Sequence, residues 1–107
     1  MRNSRVLAFV SCLLLSAELR AADLSGRVTV SGAPLPGAVV KAELIEPGHR
    51  PAAVSVTRTG SDGEYLLHGL RNGDYILLVD TNGRRVYQGR ITLPASGLVK
   101  NIELQRK

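Results

Sequence analysis

Apolar and polar residues alternate along short segments from Leu24 to Leu104, and turn residues separate each segment from the next. Alternation with a period of two predicts strands that bury one face, and turns about every eight to twelve residues are typical of a sandwich or small barrel. No segment has the spacing of three and four that indicates an amphipathic helix. The pattern predicts an all-β fold with seven strands, at about Leu24–Val30, Ala38–Ile45, Val54–Val56, Tyr65–Leu67, Tyr75–Val79, Arg85–Leu93 and Leu98–Leu104.

The fourth and fifth predicted strands are apolar on both faces. Asp62-Gly63 and Asn72-Gly73 precede them, and glycine and asparagine accept the positive φ of tight turns. Alternation divides the residues of these strands into two sets, and the family resemblance given below implies that the set of Tyr65, Leu67, Tyr75, Leu77 and Val79 points inward. The outward set is then Leu66, His68, Ile76 and Leu78. A strand that is apolar on both faces indicates that both faces are covered.

The outward set is the candidate interaction surface. If its two strands are neighbours in one sheet, Leu66, Ile76 and Leu78 form an exposed patch of roughly a few hundred Å², a size that often marks an interaction site. We therefore expect Leu66, His68, Ile76 and Leu78 to bind another envelope or secreted protein, or a second copy of the chain. Two alternatives are that the N-terminal segment or the loop Glu46–Pro51 covers the patch, or that scattered leucines are simply exposed.

The N-terminal segment has the pattern of a secretory leader. Positive charge at Arg2 and Arg5 precedes an apolar segment, Val6–Ala17, and two alanines end residues 1–22. The apolar segment is shorter than the about 20 residues that a spanning helix needs. We expect a signal peptide at 1–22, with an uncleaved anchor as the alternative. A lipoprotein signal at Cys12 is disfavoured because the apolar segment continues past the cysteine.

Residues 23–107 are expected to form one secreted or periplasmic domain without a membrane span. The chain has 107 residues, 14 of them basic and 9 acidic, for a net charge of +5. The leader holds three arginines and one glutamate, so the domain keeps 11 basic and 8 acidic residues. This spread-out excess disfavours a nucleic-acid partner, which needs a denser basic stripe. The chain's single cysteine lies in the leader, so the domain has no disulfide.

The order of residues resembles the carboxypeptidase regulatory-like domain family. The resemblance covers nearly all of residues 24–104 and rests on Gly26–Val28, Pro34–Ala38 with Val40, Ser61–Tyr65, Leu70, Gly73–Tyr75 with Leu77 and Val79, and Asn101–Leu104. It implies a seven-stranded Greek-key β-sandwich of the transthyretin-like, prealbumin type, related to immunoglobulin-like folds. It also implies an accessory module, because this family usually stands beside peptidases, receptors or secreted enzymes.

We expect no enzymatic activity and no cofactor or metal. The hydroxyisourate hydrolases share the transthyretin-like sandwich and use His and Arg residues with a C-terminal Tyr-Arg-Gly-Ser motif, whereas this chain ends Glu-Leu-Gln-Arg-Lys. Its two histidines, His49 and His68, lie in a loop and beside a turn. Two histidines without a cysteine are a poor ligand set for a transition metal.

Some pilin-type sandwiches carry an internal Lys–Asn isopeptide bond. Lys41 and Asn101 lie on suitable strands for such a bond. However, Lys41 alternates with the inward residues Val40 and Ala42, so we expect it to face solvent as an ordinary surface side chain.

Carbohydrate binding is the alternative function. Sugar-binding modules stack pyranose rings on exposed aromatic side chains, and Tyr87 near Arg84, Arg85 and Arg90 is the one plausible platform. The same residues also fit an edge strand whose charges discourage aggregation.

Overall fold

A computed structural model describes residues 21–105, which form nine β-strands. They are β1 (Ala22–Val30), β2 (Ala33–Pro34), β3 (Val39–Leu44), β4 (Ala52–Arg58), β5 (Glu64–Leu70), β6 (Gly73–Thr81), β7 (Arg84–Leu93), β8 (Leu98–Val99) and β9 (Ile102–Leu104). Two sheets enclose one apolar core, so the predicted all-β sandwich is confirmed. Within residues 21–105, no helix is long and apolar enough to cross a membrane.

The first sheet is built around β1. One side of β1 pairs antiparallel with β5 through residues 22–27, and then with β2 at Thr29 and Val30. The other side pairs in parallel with β8 at Leu24 and Ser25, and with β9 at residues 28–30. Every other strand of the first sheet therefore contacts β1.

The second sheet is antiparallel, in the order β4-β3-β6-β7. A register shift between β3 and β4 leaves Val54 without a partner on β3, and another between β6 and β7 leaves Val86 without one on β6. Both are β-bulges, which bend a strand and increase its twist. The strands β4 and β7 form the two edges of this sheet.

The core lies between the two sheets and is made by the alternating inward positions. The predicted inward set is confirmed, since each of its five members is at most 4% exposed. Other sheet positions complete the core: Ala22, Leu24, Val28, Val40, Ala42, Leu70, Ile91, Leu93 and Ile102. The long alternating strands thus bury one face each, as their sequence pattern requires.

The seven predicted strands correspond to eight of the nine observed strands, and two differences account for the count. The short strand β2 adds a pair at Ala33 and Pro34, and the last predicted strand is divided into β8 and β9 at Lys100 and Asn101. A proline is tolerated in β2 because the strand lies at an edge and is only two residues long.

The strands β5 and β6 are consecutive in the chain but belong to different sheets. Only Arg71 and Asn72 separate them, and the chain crosses from one sheet to the other at this point. The condition for a single patch of Leu66, Ile76 and Leu78, that their strands are neighbours, is therefore not met.

Most of the predicted leader, residues 1–22, lies outside the described residues, and so do residues 106–107. Ala22, the last residue assigned to the leader, begins β1 as the register partner of Leu70. It is 4% exposed and belongs to the core cluster. The folded domain therefore includes Ala22.

Candidate functional site

Three residues form a row across the outer face of the first sheet. Ser25 on β1 is the register partner of Leu66 on β5 and of Val99 on β8. Leu66 is 53% exposed and Val99 70%, whereas Ser25 is half-buried. Because paired strands lie about 4.8 Å apart, the two apolar residues stand about 10 Å apart with a small side chain between them. The row is a shallow apolar groove open to solvent.

A polar row lies beside this groove. Arg27 Nη2 is 3.0 Å from Glu64 Oε2 on β5, and the backbone N–H of Arg27 donates to Asn101 Oδ1 at 3.0 Å. Both side chains of the ion pair are about half exposed, at 49% and 59%. Solvent screens such a pair, so it adds little to stability and remains available to a partner.

The two rows share one depression. Ser25, Arg27, Glu64, Leu66, Val99 and Asn101 line an open hollow of about 1020 Å³, and we call these six residues the first-sheet face. The hollow extends to Thr57 and Arg58 at the end of β4. An apolar centre with a polar rim is the usual anatomy of a protein-binding patch.

His68 lies on β5, two residues beyond Leu66. Its Nδ1 is 2.8 Å from Asp23 Oδ1, and the backbone N–H of Gly69 donates to the same oxygen at 3.3 Å. The His68 side chain is 80% exposed. His68 therefore flanks the first-sheet face without lining its hollow.

The other two members of the predicted interaction set lie on the second sheet. Ile76 is half-buried on β6, and Leu78 is only 3% exposed, which corrects the expectation that it belongs to an exposed patch. The register partners of Leu78 are Lys41 and Gln88. Their long aliphatic stems are able to cover an apolar neighbour while the polar ends reach water. Leu66 and Leu78 are thus on opposite outer faces of the sandwich.

The residues of the predicted sugar platform are not brought together on one face. Tyr87 is half-buried and packs against the core opposite Val79. The arginines point the other way, with Arg85 hydrogen-bonded to Asp80 and Arg90 Nη2 3.2 Å from Asp74 Oδ2. Arg84 is exposed beside the turn that precedes β7. Alternation along β7 separates Tyr87 from Arg90, and the bulge at Val86 turns Arg85 to the opposite face from Tyr87.

Lys41 lies on β3 of the second sheet, whereas Asn101 lies between β8 and β9 of the first. Lys41 Nζ lies 3.5 Å from Asp80 Oδ2 on the outer face of the second sheet, and Asn101 accepts the hydrogen bond from Arg27 already described. The interpretation of both as ordinary surface side chains agrees with this placement.

The buried tyrosine of β5 anchors the floor under the first-sheet face. Tyr65 Oη donates to the carbonyl oxygen of Lys100 at 2.6 Å. Burial raises the pKa of the Tyr65 hydroxyl well above its usual value, and the nearby Tyr87 raises it further. Tyr65 therefore stays protonated and acts as a hydrogen-bond donor that holds the segment between β8 and β9.

Two aspartates of the second sheet, Asp74 and Asp80, are held in their charged form. A hydrogen bond from Thr92, with a second from Arg90, lowers the pKa of Asp74, and a hydrogen bond from Arg85 lowers the pKa of Asp80. Within residues 21–105, no group of three His, Cys, Asp or Glu side chains is placed to hold a metal ion. The polar groups described are paired with one another, and the arrangement is suited to binding through surface shape and charge.

The sequence pattern indicated only Leu66 of the first-sheet face and did not point to the other five residues, which are Ser25, Arg27, Glu64, Val99 and Asn101. The one local signal available was alternation along the last predicted strand, which places Val99 outward because Ile102 points inward. The parallel pairing of β8 and β9 with β1, which brings these residues beside Leu66, joins segments far apart in the chain. Long-range pairing of this kind leaves no trace in the local pattern.

Solved structures similar to this chain include proteins of different activities. A streptococcal ancillary pilin matches with a TM-score of 0.58 and 20% identity over 83% of this chain, which spans 30% of the pilin's length. The 5-hydroxyisourate hydrolase of Klebsiella pneumoniae matches with a TM-score of 0.59 and 18% identity over 78% of this chain and 90% of the enzyme. At such identities these likenesses show the fold alone.

No curated protein matches the chain. The model of the carboxypeptidase regulatory-like domain matches residues 23–105, which are most of the chain. The match includes every strand and leaves out only the first residue of β1. The fold is transthyretin-like, in agreement with the two solved neighbours. The chain therefore belongs to the carboxypeptidase regulatory-like domain family.

Proposed function

We propose that this protein is an exported, non-catalytic structural domain that binds another protein through its first-sheet face. The observation that carries the proposal is the row Leu66–Ser25–Val99, in which two large apolar side chains are exposed on either side of a small one. Family membership and the likeness to a pilin support a structural role. The leader pattern in residues 1–22 supports export.

The two exposed apolar side chains supply binding free energy when a partner buries them. Burying an exposed Leu or Val against a partner stabilises a complex by up to about 1.5–3 kcal/mol per side chain. Ser25 leaves room between Leu66 and Val99, so an apolar side chain of the partner can enter the groove and contact both. Both contacts lie at the centre of the patch, where burial contributes most to binding.

The polar row determines which partner is accepted. Arg27 and Glu64 are exposed and carry opposite charges, so a partner with a complementary pair aligns with them in one orientation. Charges at a rim contribute more to orientation and to the rate of association than to affinity. A protein partner with a small apolar centre and mixed charges fits this surface.

The non-catalytic part of the proposal rests on the chemistry of the side chains present. Glu64 is paired with Arg27, Asp23 with His68, and Glu103 accepts hydrogen bonds from Thr29 and from the backbone of Gly32. These three carboxylates are therefore engaged by other groups and are not free to activate a hydroxyl beside the first-sheet face. The hydrolase activity named for the structural neighbour belongs to that enzyme.

Site-specific photocrosslinking in cells tests the proposal. A photoreactive amino acid is placed at position 66 or 99, and the matched control carries it at Val86, an exposed valine on the second sheet. We expect the same partner to be crosslinked from 66 and 99 and not from 86, in an extracytoplasmic fraction. No crosslink from either site, or an identical pattern from Val86, contradicts the proposal. Retention of the chain in the cytoplasm contradicts export.

A further inference from the structure

The two edge strands of the second sheet differ in charge. Edge strand β7 carries Arg84, Arg85 and Arg90, and charged residues discourage the edge from pairing with another chain. Edge strand β4 reads Ala-Ala-Val-Ser-Val-Thr-Arg, with a single charge at its last residue. Among residues 21–105, β4 pairs with β3 alone. Its free edge therefore lacks the protection that β7 has.

Strand β4 also exposes apolar side chains. Val54 is 48% exposed and Val56 57%, and alternation places both on the outer face of the second sheet. This surface is distinct from the first-sheet face, which is on the other sheet. An uncharged edge that carries exposed β-branched residues is a template for an added strand.

The sequence around Ser55 is nearly palindromic, and this symmetry points to the occupant of the edge. In an antiparallel pair of two β4 strands with Ser55 opposite Ser55, Val54 of each copy lies opposite Val56 of the other. The two Arg58 residues are then six residues out of register, about 20 Å apart and beyond the screening length of about 8–10 Å. A self-paired β7 ribbon brings all six arginines of the two copies together instead.

The neighbouring strand also suits two-fold pairing. Lys41 on β3 is in register with Val56, and Glu43 with Ala53 beside the bulged Val54. In the symmetric dimer, Val56 of one copy lies opposite Val54 of the other. Lys41 of the first copy therefore lies on one side of this valine pair, and Glu43 of the second copy lies on the other side. The charges that flank the contact are of opposite sign and lie about three strand spacings, or about 14 Å, apart, so they add no like-charge repulsion.

We propose that a second copy of this chain pairs with the free edge of β4, antiparallel and centred on Ser55, to make a continuous eight-stranded sheet across the dimer. The contact extends beyond the proposed function, because it uses a different sheet and a different partner. The bulge at Val54 shortens the regular ribbon, and a single strand pair buries less area than a standard interface. The dimer is therefore weak and depends on concentration.

Solution mass measured by light scattering over a range of concentrations is the first test. The full chain is expressed so that its own export and processing act on it, and the purified product is compared with V56K and with the matched edge variant V86K. We expect V56K to raise the dimer dissociation constant at least about tenfold, because each added lysine must be buried beside a valine of the other copy. V86K leaves the dissociation constant unchanged. Equal melting temperatures exclude misfolding as the cause.

Disulfide trapping tests the register without disturbing the valines. In a C12A background, S55C places its thiol opposite the same residue of the second copy, where directly opposed Cβ atoms are about 4.5–5.5 Å apart. The matched control T57C lies on the same strand and face, but its thiols are about 13 Å apart in this register. We expect rapid covalent dimers from S55C and not from T57C.

A monomer at every concentration overturns the proposal. So does a dimer that V56K leaves intact, one that V86K disrupts equally, or crosslinking that is no faster for S55C than for T57C. If no photocrosslinks form at positions 66 and 99 while the dimer behaves as expected, only the proposed function is contradicted. The two failures are therefore distinguishable.

Discussion

A Cβ atom on Gly26 would lie 1.9 Å from the carbonyl oxygen of Lys100, closer than any side chain allows. That oxygen accepts the hydrogen bond from Tyr65, and the Lys100 N–H donates to the carbonyl of Ser25 at 2.7 Å. The segment between β8 and β9 is thereby held against β1 at the one position of β1 without a side chain. This contact fixes the closing strands that carry Val99 and Asn101 of the first-sheet face.

Replacing Gly26 by Ala is expected to lower the free energy of unfolding by about 3 kcal/mol or more, because backbone must move to admit the methyl group. Urea unfolding measures the loss. Gly60→Ala is the matched control, since its Cβ would meet nothing closer than 3.5 Å and its φ is not in the left-handed region. A G26A variant as stable as G60A contradicts the close approach.

Tyr65→Phe removes the hydroxyl and leaves the Lys100 carbonyl without that donor. We expect a loss of about 1 kcal/mol at neutral pH, the usual net value of one hydrogen bond. The photocrosslinking yield at position 99 should fall as well, because the segment after β8 loosens. The prediction is wrong if both the denaturant midpoint and the photocrosslinking yield at position 99 are unchanged.

Stability is expected to fall at alkaline pH because of the buried tyrosines. Burial raises the pKa of Tyr65 and of Tyr75 in the folded state, whereas both ionise near about pH 10 when unfolded. Their contribution is fully present below about pH 10, and it is lost as pH rises toward the folded values, because the unfolded chain releases protons first. Unfolding at about pH 9 and about pH 11 measures this slope. The Y65F variant should show a smaller change of stability between these pH values. An equally steep change in Y65F contradicts the assignment of the effect to Tyr65.

Thr92→Val is expected to raise the pKa of Asp74 toward its usual value, since the Thr92 hydroxyl is the largest cause of the lowered pKa. A carboxylate with a lowered folded pKa stabilises the fold above about pH 4, and this stability is lost as pH falls through the folded value. An NMR titration of the Asp carboxyl groups measures both sites at once. Asp80, held low by Arg85, is the internal control and should not move.

Removal of Ala22 is expected to destabilise the domain. A chain that begins at Asp23 lacks the buried methyl group packed at the start of β1 and the pairing with Leu70. Burial of one methyl group contributes about 0.8 kcal/mol, so we expect a loss of about 1 kcal/mol relative to a chain that begins at Ala21. Thermal unfolding of the two chains makes the comparison. Identical melting temperatures would show that residues before Leu24 add nothing to the stability of β1.

Local geometry explains what the sequence alone predicted. Alternation identified the inward residues of β5 and β6 correctly, from Tyr65 to Val79, because side chains of a strand point to opposite faces whatever the strand pairs with. The family resemblance likewise identified the sandwich, since its motifs sit at the turns and close approaches, such as Gly26, that the fold requires.

The sequence by itself determined which face of each strand is buried, but only the tertiary structure decided which strands are neighbours. Leu66 and Ile76 follow one another closely in the chain, yet the crossing after Leu70 sends them to different sheets. Leu66 and Val99 are far apart in sequence, yet both pair with Ser25. The direction in which a side chain points follows from local alternation, whereas strand pairing depends on the sum of many distant contacts, so the candidate surface emerged only with the fold.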